Sequence, residues 1–190
     1  MERRTKRDFR FGVTRLCFTL PATLGDRGLP TPYERLEEPA DLARWCVEAG
    51  LLPTPPVVDE RDLEAAWALR ETIQRTGVAI AGGAPPRERD VASINRAAAA
   101  VPLVPRLSAD GTSSHWSGTT VDSVLSLLAR DAIDLFAGPL RGRVKICADE
   151  TCLGLFVDES RPGQRRWCSM STCGDKAKKS AYRARLRSQN

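Results

Sequence analysis

The chain has 190 residues, six cysteines and a net charge of +5. Its length suits one or two domains and leaves room for a hydrophobic core. The apolar run at 16–20 follows a basic N-terminus but is short and lies close to Arg10 and Arg15, which excludes a membrane span and argues against a secretory signal. We therefore expect a cytoplasmic protein with no membrane partner.

The first 140 residues are predicted to be mainly helical. Apolar side chains recur at the helical period over 39–50, and Gly50 supplies a stop. A second helix is expected to begin near Asp59 and to end around Gly77 or to run on to 82–83, and a third covers 86–100. The residues that these patterns place in the core are Leu42, Trp45, Cys46, Ala49, Leu63, Ala66, Trp67 and Ile73.

A β-hairpin and a long helix are expected next. The segments 103–107 and 113–117 flank an Asp110-Gly111 turn, a pattern typical of a hairpin. The sequence 119–122 resembles a capping box with Asp in place of Glu, and it precedes an apolar stripe that stops at Gly138-Pro139. We expect this helix to lie in the core.

No catalytic pattern is found in this half of the chain. It lacks a phosphate-binding glycine loop, a nucleophile with its base and a metal-binding carboxylate set, and we give His115 no chemical role. Arg70-Glu71 and Arg130-Asp131 either line a small-molecule pocket or form surface ion pairs, and we favour ion pairs. We therefore expect no catalytic residue and no organic cofactor, and we do not expect the protein to be an enzyme.

Four cysteines in the last quarter of the chain form two Cys-x4-Cys pairs separated by fifteen residues. They are Cys147, Cys152, Cys168 and Cys173. Four thiolates complete a closed tetrahedral shell around Zn²⁺, which suits a structural ion and leaves no position for a reactive water. The alternatives are two disulfides, which need an oxidising compartment, or packed reduced thiols. We predict one structural Zn²⁺, and we place Cys17 and Cys46 in the core.

The segment between the two cysteine pairs predicts a small β-structure. An apolar stretch, a Pro162-Gly163 turn and a second stretch ending at Trp167 indicate a hairpin, and a helix is expected after Cys173. Knuckle, hairpin, knuckle and helix in this order indicate a treble-clef-like zinc finger. The predicted fold class is therefore mainly α with small β-hairpins, a helical N-terminal domain being followed by this finger.

Positive charge is concentrated at the C-terminus. Residues 161–190 carry +8, which leaves −3 on 1–160. This asymmetry indicates a polyanionic partner for the basic end, and the alternative is a solvated face or a solubility tail. Several of the cations fall on one face of the expected helix, and its alanines leave room for close approach. The candidate nucleic-acid contacts are Arg165, Arg166, Lys176, Lys178, Lys179, Arg183, Arg185 and Arg187.

Two known families resemble this sequence. The stretches 155–167 and 168–178 are similar to the CGNR zinc finger, and 10–20, 40–45 and 128–132 are similar to the ABATE domain that precedes this finger in a group of bacterial proteins. The signature Cys-Gly-Asn-Arg reads Cys173-Gly-Asp-Lys176 here, and the early Val-Asn-Thr-Leu reads Pro-Ala-Thr-Leu at 21–24. Lys lacks the bidentate fork of Arg, and Asp brings a negative charge close to any phosphate.

The resemblance implies a bacterial transcription regulator, with a helical ABATE-like domain at 8–140 and a CGNR-like zinc finger at 144–188. We expect the helix after Cys173 to dock on DNA. The sequence leaves open whether a small-molecule effector binds the first domain and whether the chain forms a homodimer, as DNA regulators often do to read paired half-sites. The alternative is a zinc finger that binds protein or RNA. The short basic connection 141–145 predicts that the two domains pack together.

Overall fold

The computed structural model describes residues 8–12 and 15–187. The basic segment 1–7 and the last predicted finger residue, 188, lie outside this range. The helices are α1 (Pro39–Glu48), α2 (Glu60–Ala81), α3 (Glu88–Ala98), α4 (Val121–Ala137) and α5 (Asp175–Arg187). Three antiparallel pairs join β1 (Leu24–Gly25) to β2 (Tyr33–Glu34), β3 (Val104–Leu107) to β4 (Ser114–Ser117), and β5 (Val144–Ile146) to β6 (Leu155–Val157). The predicted class, mainly α with small two-stranded sheets, is confirmed.

The first two helices begin at capping boxes. In α1 the Glu38 carboxylate and Asp41 satisfy each other's backbone N–H groups, and Asp59 and Asp62 do the same for α2. Of the two ends predicted for α2, the later one is correct. The helix passes through Gly77, and Leu155 packs so closely on that position that a Cβ would lie 2.4 Å from the Leu155 Cδ1.

The predicted start of α4 is wrong by one residue. Thr120, rather than Thr119, is the N-cap, and its Oγ1 accepts a hydrogen bond from the Ser123 N–H at 3.3 Å. Thr119 and Thr120 are equally suitable N-cap residues by sequence. The burial of Val121, which is 2% exposed in the first turn, favours the helix start that has Thr120 as its N-cap. From there α4 runs through the core against α2 and α3.

The core contains most of the predicted apolar residues. Cys17, Trp45 and Cys46 are fully buried, whereas Trp67 is only half-buried and donates its indole N–H to the Leu36 carbonyl at 3.0 Å. Burial raises the pKa of the Cys46 thiol to about 12. At neutral pH this side chain is therefore a neutral, inert part of the core.

Arg70 forms the predicted ion pair with Glu71, but it is buried and not at the surface. Its side chain is 6% exposed, and its two terminal nitrogens bind the two carboxylate oxygens of Glu34 at 2.7 Å each. Its Nε donates to Glu71, which also receives both terminal nitrogens of Arg27. A buried guanidinium needs such bidentate partners, and Glu34 supplies them from a strand far away in sequence.

The hairpin predicted within the finger is also wrong. β6 pairs with β5, which precedes the first cysteine, and not with the stretch that follows Pro162-Gly163. The backbone of that stretch is used elsewhere: the Arg165 N–H donates to Asp158 at 2.9 Å, and the Arg166 carbonyl accepts from the Ala148 N–H at 2.9 Å. These bonds replace a strand pairing.

The finger packs directly on the helical domain, as the short connection predicts. Val144, Leu155 and Val157 belong to the same buried cluster as the residues of α2 and α4. Two hydrogen bonds accompany this contact: the Gln74 side chain donates to the Leu153 carbonyl at 3.2 Å, and the Gly28 N–H donates to the Thr151 carbonyl at 3.1 Å.

The Gly28 contact provides a test of this packing. A Cβ at Gly28 would lie 1.7 Å from the Glu150 carbonyl oxygen, so Gly28→Ala must push the loop and the finger apart. We expect a loss of about 2 kcal/mol from overpacking and the broken hydrogen bond, seen as a thermal midpoint lower by about 4–8 °C. Gly142→Ala is the matched control because no atom lies within 4 Å of its Cβ position. Equal melting of the two variants would contradict the contact.

Candidate metal centre and basic helix

Four thiols meet at one point between β5, β6 and the start of α5. The sulfur atoms of Cys147, Cys152, Cys168 and Cys173 all lie within 4.8 Å of one another. The Cys168 Sγ is 3.6 Å from the Cys152 Sγ and 3.7 Å from the Cys173 Sγ. Cys147 and Cys173 are buried, and the other two are half-buried.

These distances fit a single zinc ion. Ligands at about 2.3 Å from Zn²⁺ in a tetrahedron are separated by about 3.8 Å, close to the two sulfur–sulfur distances observed. A Cβ at Gly154 would lie 3.3 Å from the Cys152 Sγ and 3.8 Å from the Cys168 Sγ, so the glycine leaves room for both sulfurs. The Cys168 N–H also points to the Cys147 Sγ, at 3.5 Å. The four cysteines are thus arranged to hold one structural Zn²⁺, as predicted.

The hydrogen bonds among the four thiols shift their pKa values. Hydrogen bonds from Cys152, Cys168 and Cys173 hold the pKa of Cys147 well below its usual range. The same network, with Cys147 as the main partner, raises the pKa of Cys173 well above its usual range. Without a metal, charge repulsion prevents four adjacent thiols from all being deprotonated. A divalent cation bound by all four offsets this repulsion.

Two short motifs shape the loops around the metal centre. In Asp149-Glu-Thr151 and in Asp158-Glu-Ser160 the Asp Oδ1 accepts hydrogen bonds from both the N–H and the hydroxyl of the residue two positions later. Asp158 is fully buried, and its second oxygen accepts from Lys145 Nζ at 2.7 Å. These hydrogen bonds hold the pKa of Asp158 below its usual range, and the bond from Lys145 has the largest effect.

Sequence reasoning missed Asp149, Asp158 and Lys145. A signal was present, because an Asp followed two residues later by Ser or Thr is typical of a side-chain-stabilised turn. The repetition of Asp-Glu-Ser/Thr within twelve residues was therefore informative. Lys145 carried no comparable signal, since its partner Asp158 follows the other strand of the β5–β6 pair, 13 positions later.

The start of α5 is fixed to the metal centre. One π-helical turn, Met170–Gly174, carries Cys173 and leads directly into the helix. Lys176, in the first turn of α5, forms an ion pair with Asp149 at 3.2 Å and donates to the Thr151 hydroxyl. The lysine in the signature position thus joins the first cysteine loop to the helix.

The body of α5 does not pack on the rest of the protein. None of its residues is buried, and among the described residues its contacts are almost confined to the preceding turn. Such a helix gains little stability from its own chain, and a solvated amphipathic helix of 13 residues is marginal. One face of α5 is therefore available to a partner.

The predicted cations have different environments. Arg165 is half-buried: it donates to the carbonyls of Trp167 and Cys168, and its guanidinium lies over the Phe156 ring at 5.0 Å. Arg166 is exposed and lies over the Trp167 ring, also at 5.0 Å. These contacts give Arg165 a role inside the finger, whereas Arg166 faces solvent.

On α5 itself, three cations have no intramolecular partner among the described residues: Lys179, Arg183 and Arg187. They line a shallow groove whose other charged residues are Lys176 and Asp175. Lys178 pairs with Asp175 at 3.8 Å, and the Arg185 Nε donates to the Ala181 carbonyl at 3.5 Å. The groove is therefore the most cationic free surface of the helix.

The fold and the metal centre define a class of protein, a helical domain followed by a four-cysteine zinc finger. Residues 14–139 match the ABATE family, described as "Putative stress-induced transcription regulator", and 143–186 match the CGNR zinc finger. The first match covers more than half of the chain, so the protein belongs to the ABATE family. Neither is a family of enzymes.

A comparison with curated proteins finds no match. The helices of the described part of the chain are all too short or too polar to cross a bilayer.

Proposed function

We propose that the protein is a DNA-binding transcription regulator in which the zinc centre fixes α5 for docking on duplex DNA. The observation that carries this proposal is the cationic face of α5, which is anchored at one end by the metal centre and is otherwise unpacked. The ABATE match supports a regulatory role. The order of first cysteine loop, second cysteine loop and helix supports a treble-clef-like finger, although its two strands flank the first loop instead of forming a hairpin between the loops.

The dimensions of α5 suit this role. Thirteen residues form a helix about 20 Å long, and the major groove of DNA is about 12 Å wide and accepts a single helix. Lys179, Arg183 and Arg187 are spaced by four residues, so they fall on one face and span about 12 Å along it. The guanidinium groups can bind phosphates bidentately or contact base edges.

The departures from the family signature are compatible with this proposal. Lys176 keeps the positive charge and uses it to hold Asp149, inside the finger. Asp175 lies next to Lys178, which offsets its charge. Neither residue is required to contact a phosphate, because the groove cations lie one to three turns further along the helix.

Salt dependence tests the proposal. Three phosphate contacts give a slope of about −2.7 for log K against log salt on duplex DNA, and about −2.1 on single strands. We expect the zinc-loaded protein to bind duplex DNA with a slope of about −2.7 or steeper, and more tightly than single-stranded RNA or heparin at the same salt, measured by fluorescence anisotropy. Equal or tighter binding of RNA or heparin would contradict the proposal.

A finger that binds RNA or protein is the second candidate, and one observation favours it. Tyr182 and Leu186 lie one helical turn apart on α5, and their side chains are 60% and 46% exposed. An exposed aromatic beside cations suits stacking on an unpaired base, and the pair also suits an apolar protein groove. Tyr182→Ala should weaken RNA or protein binding strongly under this alternative, but should affect duplex binding less than the loss of Arg183.

The helical domain is proposed to regulate the finger. The two parts share one buried cluster, so a change at their interface is felt by both. We also propose that the protein pairs with a second copy to read two half-sites, which analytical ultracentrifugation with and without DNA tests.

A further inference from the structure

A cavity of about 290 Å³ lies between the helical domain and the finger. Phe18 and Leu24 contribute apolar lining from the helical domain, and Leu155 contributes it from the finger. Cys152 and Cys168, the two half-buried metal ligands, also line it. Its volume is at the lower end of the range for small-molecule sites, and its lining combines apolar walls with a few polar groups, as such sites do.

The charges around the cavity favour a cation. Asp8 and Asp26 line it, and two cations balance them: Arg10 on the lining and Arg35, whose guanidinium lies behind Gly25. The guanidinium of Arg35 is directed to the carbonyls of Asp8 and of 22–23. The remaining charge comes from the metal centre, because four thiolates around one divalent ion are net negative.

The cavity also borders the approach to α5. Ser169, Thr172 and Cys173 are part of its lining, and they belong to the turn that leads into the helix. A molecule in the cavity therefore touches the segment that sets the position of α5. Binding there couples to the position of the helix to the extent that the molecule prefers one arrangement of this turn.

We propose that this cavity binds a small organic cation with an apolar body, and that its occupancy alters DNA binding by α5. The apolar body packs between Phe18, Leu24 and Leu155, and the cationic group lies on the side of Asp26 and the thiolate cluster. The ligand site stands independently of the proposed function, and only its coupling to DNA rests on that function.

Three probes of similar size test the ligand class on the zinc-loaded full chain. They are 2-phenylethylammonium, the neutral 2-phenylethanol and the anionic phenylacetate, followed by amide chemical shifts in two-dimensional NMR. We expect saturable binding of the ammonium probe with a Kd of about 1 mM or tighter, about fivefold weaker binding of the alcohol and still weaker binding of the acid. The shifted amides should include those of Leu24, Asp26 and Thr172.

Three results would overturn the site. They are no saturable binding up to about 10 mM probe, equal affinity for the three probes, or shifts that map away from the cavity. Because these comparisons use the unaltered protein, they remain decisive whatever any variant does.

A substitution at Asp26 gives a second test. Asp26 has φ 52°, a left-handed conformation that Asn adopts as readily as Asp, so Asp26→Asn removes the charge and keeps the backbone. We expect an approximately fivefold loss of affinity for the ammonium probe and none for the alcohol. Asp122→Asn, an exposed carboxylate in the first turn of α4, is the control and should leave both affinities unchanged. Equal effects of the two substitutions would contradict the role of Asp26.

The coupling is measured separately. Saturation with the ammonium probe should change the Kd for duplex DNA by about fivefold, and DNA should change the affinity for the probe by the same factor. Unchanged DNA affinity would overturn the coupling. A protein that binds the probe but no DNA would instead refute the proposed function and leave the ligand site in place.

Discussion

Cys147→Ser is expected to abolish stable zinc binding and to unfold the finger. Cys147 follows β5 directly, is 3% exposed, and binds the Gly154 carbonyl through its N–H at 2.8 Å. Its replacement removes one of four thiolates from a site whose metal binding supplies about 10–16 kcal/mol in isolated zinc fingers. We expect well under one equivalent of zinc by elemental analysis and a thermal midpoint lower by about 10 °C or more, since about 4 kcal/mol or more is lost.

The effect should also reach DNA binding. Cys173 carries the turn before α5, and Lys176 holds the helix to Asp149, so a disordered finger no longer presents the groove cations together. Binding to duplex DNA should fall to the level of a nonspecific basic peptide.

Cys46→Ala is the control for this experiment. Cys46 is a fully buried thiol in α1 with no role at the metal centre, so its loss should cost only about 1–2 kcal/mol and leave one zinc per chain. A Cys147→Ser protein with one equivalent of zinc and the melting behaviour of the control would show that the tetrathiolate site is wrong.

The second large effect is expected from neutralising the groove on α5. The triple variant Lys179→Ala, Arg183→Ala and Arg187→Ala removes the three cations that have no partner among the described residues. Alanine favours helix, so α5 should still form. If each cation neutralises one phosphate, the salt slope falls by about 2.7, and affinity near 0.1 M salt falls by about 10²–10³. Fluorescence anisotropy on duplex DNA at several salt concentrations measures both quantities.

A matched variant separates this local effect from net charge. Arg61, Arg89 and Arg96 are exposed on α2 and α3, and replacing all three with Ala removes the same charge from the helical domain. This control should lose less than about tenfold in affinity and keep most of its salt slope, because it changes only long-range attraction. Similar losses in the two triple variants would mean that DNA contacts are not concentrated on α5.

Much of the fold could be predicted because its signals are local. The stripes of α1, α2 and α4 appear within single segments, and the spacing of the cysteine pairs identifies the metal ligands without knowledge of their partners. The capped starts at Glu38 and Asp59 also depend on neighbouring residues only. What these signals share is that a few adjacent positions determine the outcome.

The errors involve partners that are distant in sequence. The strand at 155–157 pairs with 144–146, which overlaps the short basic connection, and the pattern of its own residues does not identify this partner. The charge of Arg70 predicts exposure, and only the bidentate contact with Glu34 explains its burial. On α5 the helical period identifies a cationic face, but it cannot show that Lys176 is held by Asp149, 27 positions earlier.

Val144, Leu155 and Val157 of the finger are buried together with residues of α2, so we expect that the finger does not fold as an independent domain. If the finger were cut off at the connection, its apolar residues that face α2 would be exposed to water. The helical domain would expose a matching apolar surface around Gly77. Swapping fingers between relatives of this protein should therefore succeed only when the side chain that covers that glycine travels with a compatible helix.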